Sequence, residues 1–240
     1  MKAFLLAAGN GTRLRPLTDS VPKCLLPIRG VPLLEIWLNN CKAAGITEVL
    51  VNTHTHAGVI RQFAAEQKTG VRMCVTEEPE LLGGAGTLAE NREFVAGEKS
   101  FFVLYADVLT NVDLFRFFEF HAQKNLLVTL GVYQVSDPSR CGIVSVDGNA
   151  VIQDFVEKPT RPAGNWAFAG VMVAGPELFD FIPAHYPADL GFDVLPRMVG
   201  KMAGYKICEY LLDIGTISNY QHAQQSWPGS VELKHASQGS

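Results

Sequence analysis

The sequence predicts one α/β domain of three layers, in which helices cover both faces of a mainly parallel mixed sheet. Strand-like apolar runs alternate with helix-like segments through the first half of the chain, and such alternation predicts parallel strands joined by crossover helices. The 240 residues are 48% hydrophobic and 18% charged, which is enough apolar material for one sizeable core. A glycine-containing segment follows the first strand-like run at once.

Four strand-like runs are predicted in the first half of the chain. Each is short, and the first is apolar throughout, as expected of a strand that is covered on both faces. The four runs are Ala3–Ala8, Glu48–Asn52, Arg72–Thr76 and Phe101–Tyr105.

Helix-like segments separate these runs. Apolar residues recur at helical intervals from Leu33 to Ala44, and Gly45 stands where a C-terminal cap would end that helix. A second helix is expected over Val59–Ala65. A third follows the fourth strand, where the apolar face begins at Leu114 and includes His121.

The second half of the chain is less regular. Asp147-Gly148-Asn149 predicts a hairpin turn between strands at Ile143–Val146 and Val151–Phe155. A further strand is expected over Ala167–Val173. Helices are expected near Pro176–Phe181 and Val194–Ala203. We expect the folded domain to occupy residues 1–229 and residues 230–240 to form a frayed polar tail.

Composition excludes several classes of protein. Twenty Lys and Arg residues against 24 Asp and Glu give a net charge of −4, whereas nucleic-acid-binding proteins usually carry a basic excess. No apolar stretch approaches the ~20 residues that a membrane span requires. The five cysteines form no closely spaced pair, and the N-terminus lacks a secretory pattern. These features predict a cytoplasmic protein with reduced thiols and no nucleic-acid or membrane partner.

The segment after the first strand contains the groups that a phosphate site needs. Gly9 and Gly11 would let backbone N–H groups approach phosphate oxygens, and Thr12 follows Gly11 directly in the same loop. Arg13 and Lys23 would neutralise the charge of a triphosphate. The structural alternative is a tight turn with solvated basic residues. Neither a dinucleotide fingerprint nor a P-loop fits, since position 14 is leucine and no Gly-Lys-Ser/Thr run is present.

Two aspartates are candidate metal ligands. Asp107 follows the fourth strand, at the edge where parallel sheets place their ligands, and Asp213 follows the strand-like run Lys206–Leu212. Two carboxylates from distant segments can hold Mg²⁺, which prefers oxygen ligands and retains several waters. Alternatively, Asp107 caps a helix and Asp213 belongs to a turn.

The chain resembles the sugar-1-phosphate nucleotidylyltransferases. The run Leu6-Ala-Ala-Gly-Asn-Gly-Thr-Arg-Leu-Arg-Pro-Leu-Thr18, with Pro22-Lys23 after it, is similar to the signature of that family. Six further motifs follow in the family's order, and the resemblance spans about residues 1–227. These motifs are Glu78-Pro-Glu-Leu-Leu-Gly-Gly-Ala-Gly86, Tyr105-Ala-Asp107-Val, Ser139-Arg-Cys-Gly142, Glu157-Lys158-Pro159, Ala169-Gly170 and Asp213-Ile-Gly-Thr216.

The resemblance implies a role for each motif and a Rossmann-like fold of the nucleotide-diphospho-sugar transferase type. Arg13 and Lys23 would be catalytic, and Asp107 and Asp213 would bind Mg²⁺. The other implied contacts fall into two groups. The nucleotide group is Gly9, Gly11, Thr12, Glu78, Gly83 and Gly84, and the sugar-phosphate group is Gly142, Glu157, Lys158, Phe168 and Gly170.

The implied reaction joins a nucleoside triphosphate to a sugar 1-phosphate and releases pyrophosphate. The first choice of substrates is GTP with mannose 1-phosphate or a manno-configured heptose 1-phosphate, because Glu78 and the Pro22-Lys23 loop are closest to the guanylyl branch. Uridylyl or thymidylyl transfer to glucose-, glucosamine- or muramate-type phosphates is the alternative. A catalytically silent regulatory subunit that senses nucleotide-sugars is an alternative of another class. A homodimer is also considered.

Two departures from the guanylyl pattern affect the substrate. Phe168 stands where mannose-1-phosphate guanylyltransferases usually have Asn, and Gly84 replaces their usual Thr. Phe168 supplies no hydrogen bond to a sugar hydroxyl. Alternatively, Phe168 points into the core and Asn165 serves the sugar. We also expect a short form of the family, without the left-handed β-helix domain of many relatives.

Overall fold

A computed structural model describes residues 1–230, so the predicted tail lies outside the described residues except for Ser230. Residues 1–230 form thirteen strands and five α-helices. The strands are β1 (Lys2–Leu6), β2 (Pro27–Ile28), β3 (Val31–Pro32), β4 (Glu48–Thr53), β5 (Arg72–Glu77), β6 (Phe101–Tyr105), β7 (Val108–Thr110), β8 (Val128–Gln134), β9 (Gly142–Val146), β10 (Ile152–Glu157), β11 (Trp166–Ala174), β12 (Met202–Lys206) and β13 (Leu211–Asp213). The helices are α1 (Leu33–Ala43), α2 (Ala57–Glu66), α3 (Gly83–Glu90), α4 (Leu114–Lys124) and α5 (Ile217–Ser226).

Nine strands form one mixed sheet, with the order β5-β4-β1-β6-β11-β8-β12 and the β9–β10 hairpin attached to β11. β5, β4, β1 and β6 run parallel, as do β8 and β12, whereas β11 runs antiparallel to both of its long neighbours. The predicted three-layer fold with a mainly parallel sheet is confirmed.

Two apolar cores lie on opposite faces of this sheet. Adjacent residues of a strand point to opposite faces, and Phe101 and Phe102, both fully buried, belong to different cores. The core with Phe102 also contains Trp37 of α1 and Phe117 of α4, and the other contains Leu88 of α3. The sheet is therefore covered by helical layers on both sides.

Most predicted elements of the first half lie within one or two residues of their observed bounds. Gly45 follows the last residues of α1 with a φ of 76°, so it does adopt the left-handed conformation of a C-terminal cap. The hairpin turn is also confirmed, because the Asp147 N–H donates to the Val151 carbonyl at 2.9 Å.

The predicted helix at Val194–Ala203 is wrong. The chain forms a π-helical turn at Leu190–Val194 and a 3-10 helix at Leu195–Met198, then continues into β12. Pro196 cannot donate a helical hydrogen bond, and Gly200 has a φ of 80°. The apolar residues of this segment instead fill a core and pair with β8.

Two further elements differ from expectation. The segment Pro176–Phe181 is a 3-10 helix, and the strand-like run Lys206–Leu212 is divided between the end of β12 and the start of β13. Strand β8 was not predicted, although it lies between β11 and β12.

Candidate active site

The predicted glycine loop lines a cavity at the carboxyl edge of the sheet. This cavity, of about 240 Å³, is bounded by Gly9, Gly11, Thr12 and Arg13 and by Lys23 and Asp107 on its other side. Gly11 has a φ of 62°, which favours glycine, and its carbonyl accepts a hydrogen bond of 2.8 Å from the Thr18 hydroxyl. The loop is thus fixed at a sharp turn directly beyond β1.

Four charged side chains converge beside this loop. The Lys23 ammonium lies 2.6 Å from an Asp107 carboxylate oxygen and 3.9 Å from one of Asp213. Arg13 belongs to the same cluster, since a Cβ added at Gly215 would lie 3.0 Å from its Nη2 atom and 3.2 Å from Lys23 Nζ. The structure therefore brings together the four residues that the sequence predicted as the catalytic and metal-binding set.

The pairing of β7 with β13 explains how Asp213 reaches Asp107 across so long a stretch of sequence. β13 runs antiparallel to β7 with Asp213 opposite Val108, and the Ile214 N–H donates to the Asp107 carbonyl at 3.0 Å. The Asp213 carboxylate also accepts a short hydrogen bond from the Gly215 N–H. This two-stranded ribbon brings the Asp107 and Asp213 carboxylates to the same Lys23 ammonium.

A second cavity, of about 860 Å³, opens on the other side of the charged cluster. Arg13 and Asp107 line both cavities, and Asp213 lines the larger one. The larger cavity also contains every residue that the resemblance assigned to the sugar phosphate: Gly142, Glu157, Lys158, Phe168 and Gly170. The sugar-phosphate group therefore lies on one side of the cluster of charges, and Gly9, Gly11 and Thr12 of the nucleotide group lie on the other.

Glu157 is a half-buried carboxylate in the larger cavity. Burial raises its pKa, although the Lys158 ammonium, 3.5 Å away, acts in the opposite direction, and Asp189 adds to the rise. Two glycines leave room for the Glu157 carboxylate. A Cβ at Gly142 would lie 2.6 Å from this carboxylate, and one at Gly191 would lie 2.5 Å from it. The Lys158 ammonium also lies 5.3 Å from the centre of the Phe192 ring.

Phe168 lines the larger cavity and is only partly buried. Its ring packs edge-on against Tyr105, with 5.6 Å between ring centres. Asn165, the alternative residue for the sugar, is exposed, and its carbonyl accepts the Val135 N–H at 2.9 Å. The cavity wall at this position is therefore aromatic.

The structure places Glu78, Gly83 and Gly84 differently from the glycine loop. Glu78 is 3% exposed, and its carboxylate accepts hydrogen bonds from Asn52, Leu82 and Thr87. Glu78, Gly83 and Gly84 line neither of the two cavities. The expected contact between the Glu78 carboxylate and a base stays a prediction.

Gly83 of this motif has a packing role. Gly83 has a φ of 75°, and a Cβ on it would lie 2.2 Å from the Ala188 carbonyl oxygen. The same oxygen accepts the Ala85 N–H at 3.0 Å, so the first turn of α3 docks against that segment of backbone. A side chain at Gly83 would separate the two.

The two aspartates fit a divalent cation. Among residues 1–230 no group of three or more His, Cys, Asp or Glu side chains forms a metal cluster. Mg²⁺, however, commonly binds one or two carboxylates and completes its shell with water and substrate phosphate. Asp107 and Asp213 both face one positive group, the Lys23 ammonium, so their oxygens already converge on a point of positive charge.

Several residues that line the larger cavity, among them Asp189 and Tyr133, belong to no sequence motif. Asp189 caps the π-helical turn by accepting from the Gly191 and Phe192 N–H groups. Burial raises the pKa of Tyr133 well above the usual range. Only the fold brings these positions together, so spacing in the sequence gave no signal for them.

Comparisons with known proteins agree with these features. A family model described as nucleotidyl transferase matches residues 2–228. "Probable mannose-1-phosphate guanylyltransferase 1" of rice is 33% identical over 92% of this chain and 63% of its own length. The UTP–glucose-1-phosphate uridylyltransferase of Synechocystis is 31% identical over 93% of this chain and 62% of its own length. The chain therefore spans less than two thirds of the length of both curated relatives.

Among solved structures, HddC from Yersinia pseudotuberculosis complexed with GMP-PN superposes with a TM-score of 0.78. It is 21% identical, and the match covers 94% of this chain and 99% of that one, which establishes a shared fold. Within residues 1–230, none of the helices has the length and apolar character needed to cross a bilayer.

Proposed function

The chain belongs to the nucleotidyl transferase family, and from this premise we propose that it joins a nucleoside triphosphate to a sugar 1-phosphate, releasing pyrophosphate and a nucleotide-sugar. The observation that carries the proposal is the position of Arg13, Lys23, Asp107 and Asp213 at the junction of two cavities. A reaction between two anionic substrates needs such a junction, with a separate space for each substrate and positive charge where they meet.

The smaller cavity suits the triphosphate. The backbone of the Gly9–Arg13 loop can donate to phosphate oxygens, and the Arg13 guanidinium and Lys23 ammonium supply charge-assisted donors. The larger cavity suits the sugar phosphate, with Lys158 for its phosphate and Glu157 for sugar hydroxyls. The two phosphates would then meet beside Arg13 and Asp107, which line both cavities.

In the proposed reaction an oxygen of the sugar phosphate attacks the α-phosphorus in line. A bond forms between that oxygen and the α-phosphorus as the bond from the α-phosphorus to the β-bridging oxygen breaks, and pyrophosphate leaves. The attacking phosphate is already anionic, so the reaction requires no general base. Positioning by the two cavities and charge neutralisation by Arg13 and Lys23 then supply most of the rate.

Asp107 and Asp213 are the residues that would hold Mg²⁺. When bound, the ion would supply Lewis-acid stabilisation of the charge that develops on phosphate oxygens. The Lys23 ammonium pairs with Asp107 in the present arrangement. We propose that Lys23 turns its ammonium toward the triphosphate when substrates occupy the site, because phosphate oxygens carry more negative charge than one carboxylate.

The proposed substrates are GTP and mannose 1-phosphate or a manno-configured heptose 1-phosphate. The motifs closest to the guanylyl branch and the similarity to the rice protein named as a guanylyltransferase support this choice. The relative from Synechocystis is named as a uridylyltransferase, and the aromatic wall at Phe168 favours a bulkier or less polar group than a plain mannose hydroxyl. These observations keep uridylyl or thymidylyl transfer as the second candidate.

A substrate matrix tests the proposal. Purified protein with Mg²⁺ is incubated with each of four nucleoside triphosphates against a panel of sugar 1-phosphates, and pyrophosphate release is followed. We expect release in at least one combination, with GTP preferred. Turnover restricted to UTP or dTTP would replace the guanylyl assignment with the second candidate. No turnover in any combination would contradict the proposal and favour a regulatory subunit that senses nucleotide-sugars.

A further inference from the structure

An exposed aromatic ring lies beside the larger cavity. Phe192 is 56% exposed, the highest value among the large apolar side chains of residues 1–230, whereas Leu190 and Val194 in the same turn are fully buried. Single apolar side chains on a surface are common and carry no meaning by themselves. Phe192 differs because it has a charged partner in the cavity wall: the Lys158 ammonium lies 5.3 Å from the centre of its ring.

The π-helical turn Leu190–Val194 fixes the position of this ring. Asp189 Oδ1 accepts from the Gly191 N–H at 2.8 Å and from the Phe192 N–H at 3.1 Å. The Asp193 carboxylate in turn accepts the Asp189 N–H at 2.7 Å. Turns of this kind are rare and frequently occur at functional sites. The backbone that carries Phe192 is therefore held by side chains on both sides of it.

The backbone of Lys158 is constrained as well. Lys158 has a φ of 46°, a left-handed conformation that is uncommon for a residue with a side chain. Its N–H donates to the Cys141 carbonyl at 3.0 Å, and its ammonium lies 3.5 Å from a Glu157 carboxylate oxygen. The ammonium thus contacts both the Glu157 carboxylate and the Phe192 ring.

An aromatic neighbour suits a lysine that has to bind phosphate. Lysine has a flexible four-carbon stem, so ordering it at the moment of binding reduces affinity. The Lys158 side chain is largely exposed, and the solvent does not order it. An aromatic face attracts the ammonium through the ring quadrupole and leaves its charge in place. A second carboxylate would also hold the ammonium, but it would compete with the phosphate for the positive charge.

We propose that Phe192 is a positioning residue for the sugar phosphate: its ring holds the Lys158 ammonium at the larger cavity, where that ammonium binds the phosphate. Phe192 does not touch the substrate in this role, and it is not among the residues that line the cavity. The inference rests on the proposed function in one respect, the binding of the sugar phosphate by Lys158. It adds that the affinity of the cavity depends on a residue outside its wall.

Phe192→Leu tests this role, because leucine keeps an apolar side chain and removes the aromatic face. It should raise KM for the sugar phosphate about two- to fivefold, as expected for an exposed cation–π contact. KM for the triphosphate and kcat should change less than about twofold. Phe192→Tyr retains an aromatic face and should keep the wild-type KM. An unchanged KM in Phe192→Leu, or an equal rise in both variants, would overturn the proposal.

A double-mutant cycle separates the positioning of Lys158 from direct contact between the ring and the sugar. Lys158→Met should raise KM for the sugar phosphate by itself. In that background Phe192→Leu should cause no further rise, because the charge that the ring positions is already gone. A further rise as large as in the wild-type background would show that the ring contacts the sugar and would overturn the proposal.

Phe120→Leu is the matched control. The Lys124 ammonium lies 5.2 Å from the centre of the Phe120 ring, a contact of the same kind. Neither of these residues lines the two cavities. The variant should keep the wild-type KM for both substrates. If Phe192→Leu raises KM for the sugar phosphate no more than this control does, the proposal is overturned.

A spectroscopic readout that needs no turnover keeps this inference distinct from the proposed function. The ring current of Phe192 should shift the ε-methylene protons of Lys158 upfield in the wild type and in Phe192→Tyr, and Phe192→Leu should lose this shift. Inorganic phosphate, titrated against the same signal, should bind about two- to fivefold more weakly to Phe192→Leu. If the wild type turns over no sugar phosphate, the proposed function fails while this titration still decides the role of Phe192. Equal shifts and equal phosphate affinities in the wild type and Phe192→Leu would overturn the inference.

Discussion

Arg13 and Arg15, two residues apart in one loop, have different surroundings. Arg13 lines both cavities and lies near Lys23 at Gly215, whereas Arg15 is exposed and pairs with Asp19 at 3.5 Å. Arg13→Ala should therefore lower kcat/KM roughly 30- to 1,000-fold, equivalent to about 2–4 kcal/mol of transition-state stabilisation, because a charge-assisted contact made in the transition state is lost. Arg15→Ala is its control and should change kcat/KM by less than about threefold, as for an exposed ion pair. Similar losses in the two variants would show that these roles are assigned wrongly.

Phe168 tests which sugar the larger cavity accepts. Phe168→Asn should add about one net hydrogen bond to a plain hexose phosphate, ~0.5–1.5 kcal/mol or a few-fold in kcat/KM, and weaken any substrate that packs on the ring. Phe120→Asn is a matched control, since Phe120 makes a similar edge-on contact with Tyr205, 5.2 Å between ring centres, outside the cavity. A panel of sugar 1-phosphates reports the selectivity ratios. Unchanged ratios with a lowered melting temperature would mean that Phe168 serves packing alone.

The charged residues of the site could be predicted from sequence, and their partners could not. Arg13, Lys23, Asp107 and Asp213 each belong to a motif, and the structure brings them together. The Glu78 motif was equally visible, but its carboxylate meets donors from β4 and α3 whose approach depends on the packing of those elements. A motif identifies a residue type and a position, and the fold decides what the side chain contacts.

The first turn of α3 depends on one glycine. Gly83→Ala should destabilise the protein by about 2–4 kcal/mol, because the residue has a φ of 75° and its new Cβ would lie 2.2 Å from a backbone oxygen. Gly58→Ala, in α2, is the control: nothing lies within 4 Å of its added Cβ. That variant should be neutral or more stable by up to ~1 kcal/mol. Denaturant unfolding measures both, and equal stabilities would contradict the docking of α3 described above.

Elements were predictable where the local pattern and the tertiary environment agreed. β1, β4 and β6 are apolar runs in the interior of the sheet, so their sequences carry the signal. The segment from Leu190 to Lys206 has apolar residues at helix-like intervals, but Pro196 and pairing with β8 divide it into short turns and a strand. The contacts that decide its conformation come from β8, which is distant in sequence.

His121 couples the stability of the whole protein to pH. Its ring lies between the Thr129 hydroxyl, 2.9 Å from Nδ1, and the Ser100 hydroxyl, 3.3 Å from Nε2, and burial lowers its pKa below the usual 6.5. At a pH just below 6.5, His121 therefore binds a proton more readily in the unfolded chain than in the folded protein. The stability contributed by neutral His121 is present above about pH 6.5 and is lost as pH falls below it, at up to ~1.4 kcal/mol per pH unit.

The comparison of wild type with His121→Gln isolates this contribution, since Gln retains polar groups and does not titrate. Unfolding free energies at pH 7.5 and at pH 5.5 should differ more in the wild type than in the variant. The same pH dependence in both proteins would assign the acid sensitivity to other groups.

In the proposed function, the cluster of Arg13, Lys23, Asp107 and Asp213 at the junction of the two cavities carries nucleotidyl transfer. The most direct measurement is pyrophosphate release by the wild type, Asp107→Asn and Asp213→Asn, with Asp154→Asn, an exposed aspartate of β10, as control. The wild type and the control should release pyrophosphate only when triphosphate and sugar 1-phosphate are both present. Each of the other two variants should lose at least ~100-fold in kcat, because stabilisation by a metal ion is worth several kcal/mol. Near wild-type turnover by either of these variants, or equal release without the sugar phosphate, would contradict the claim.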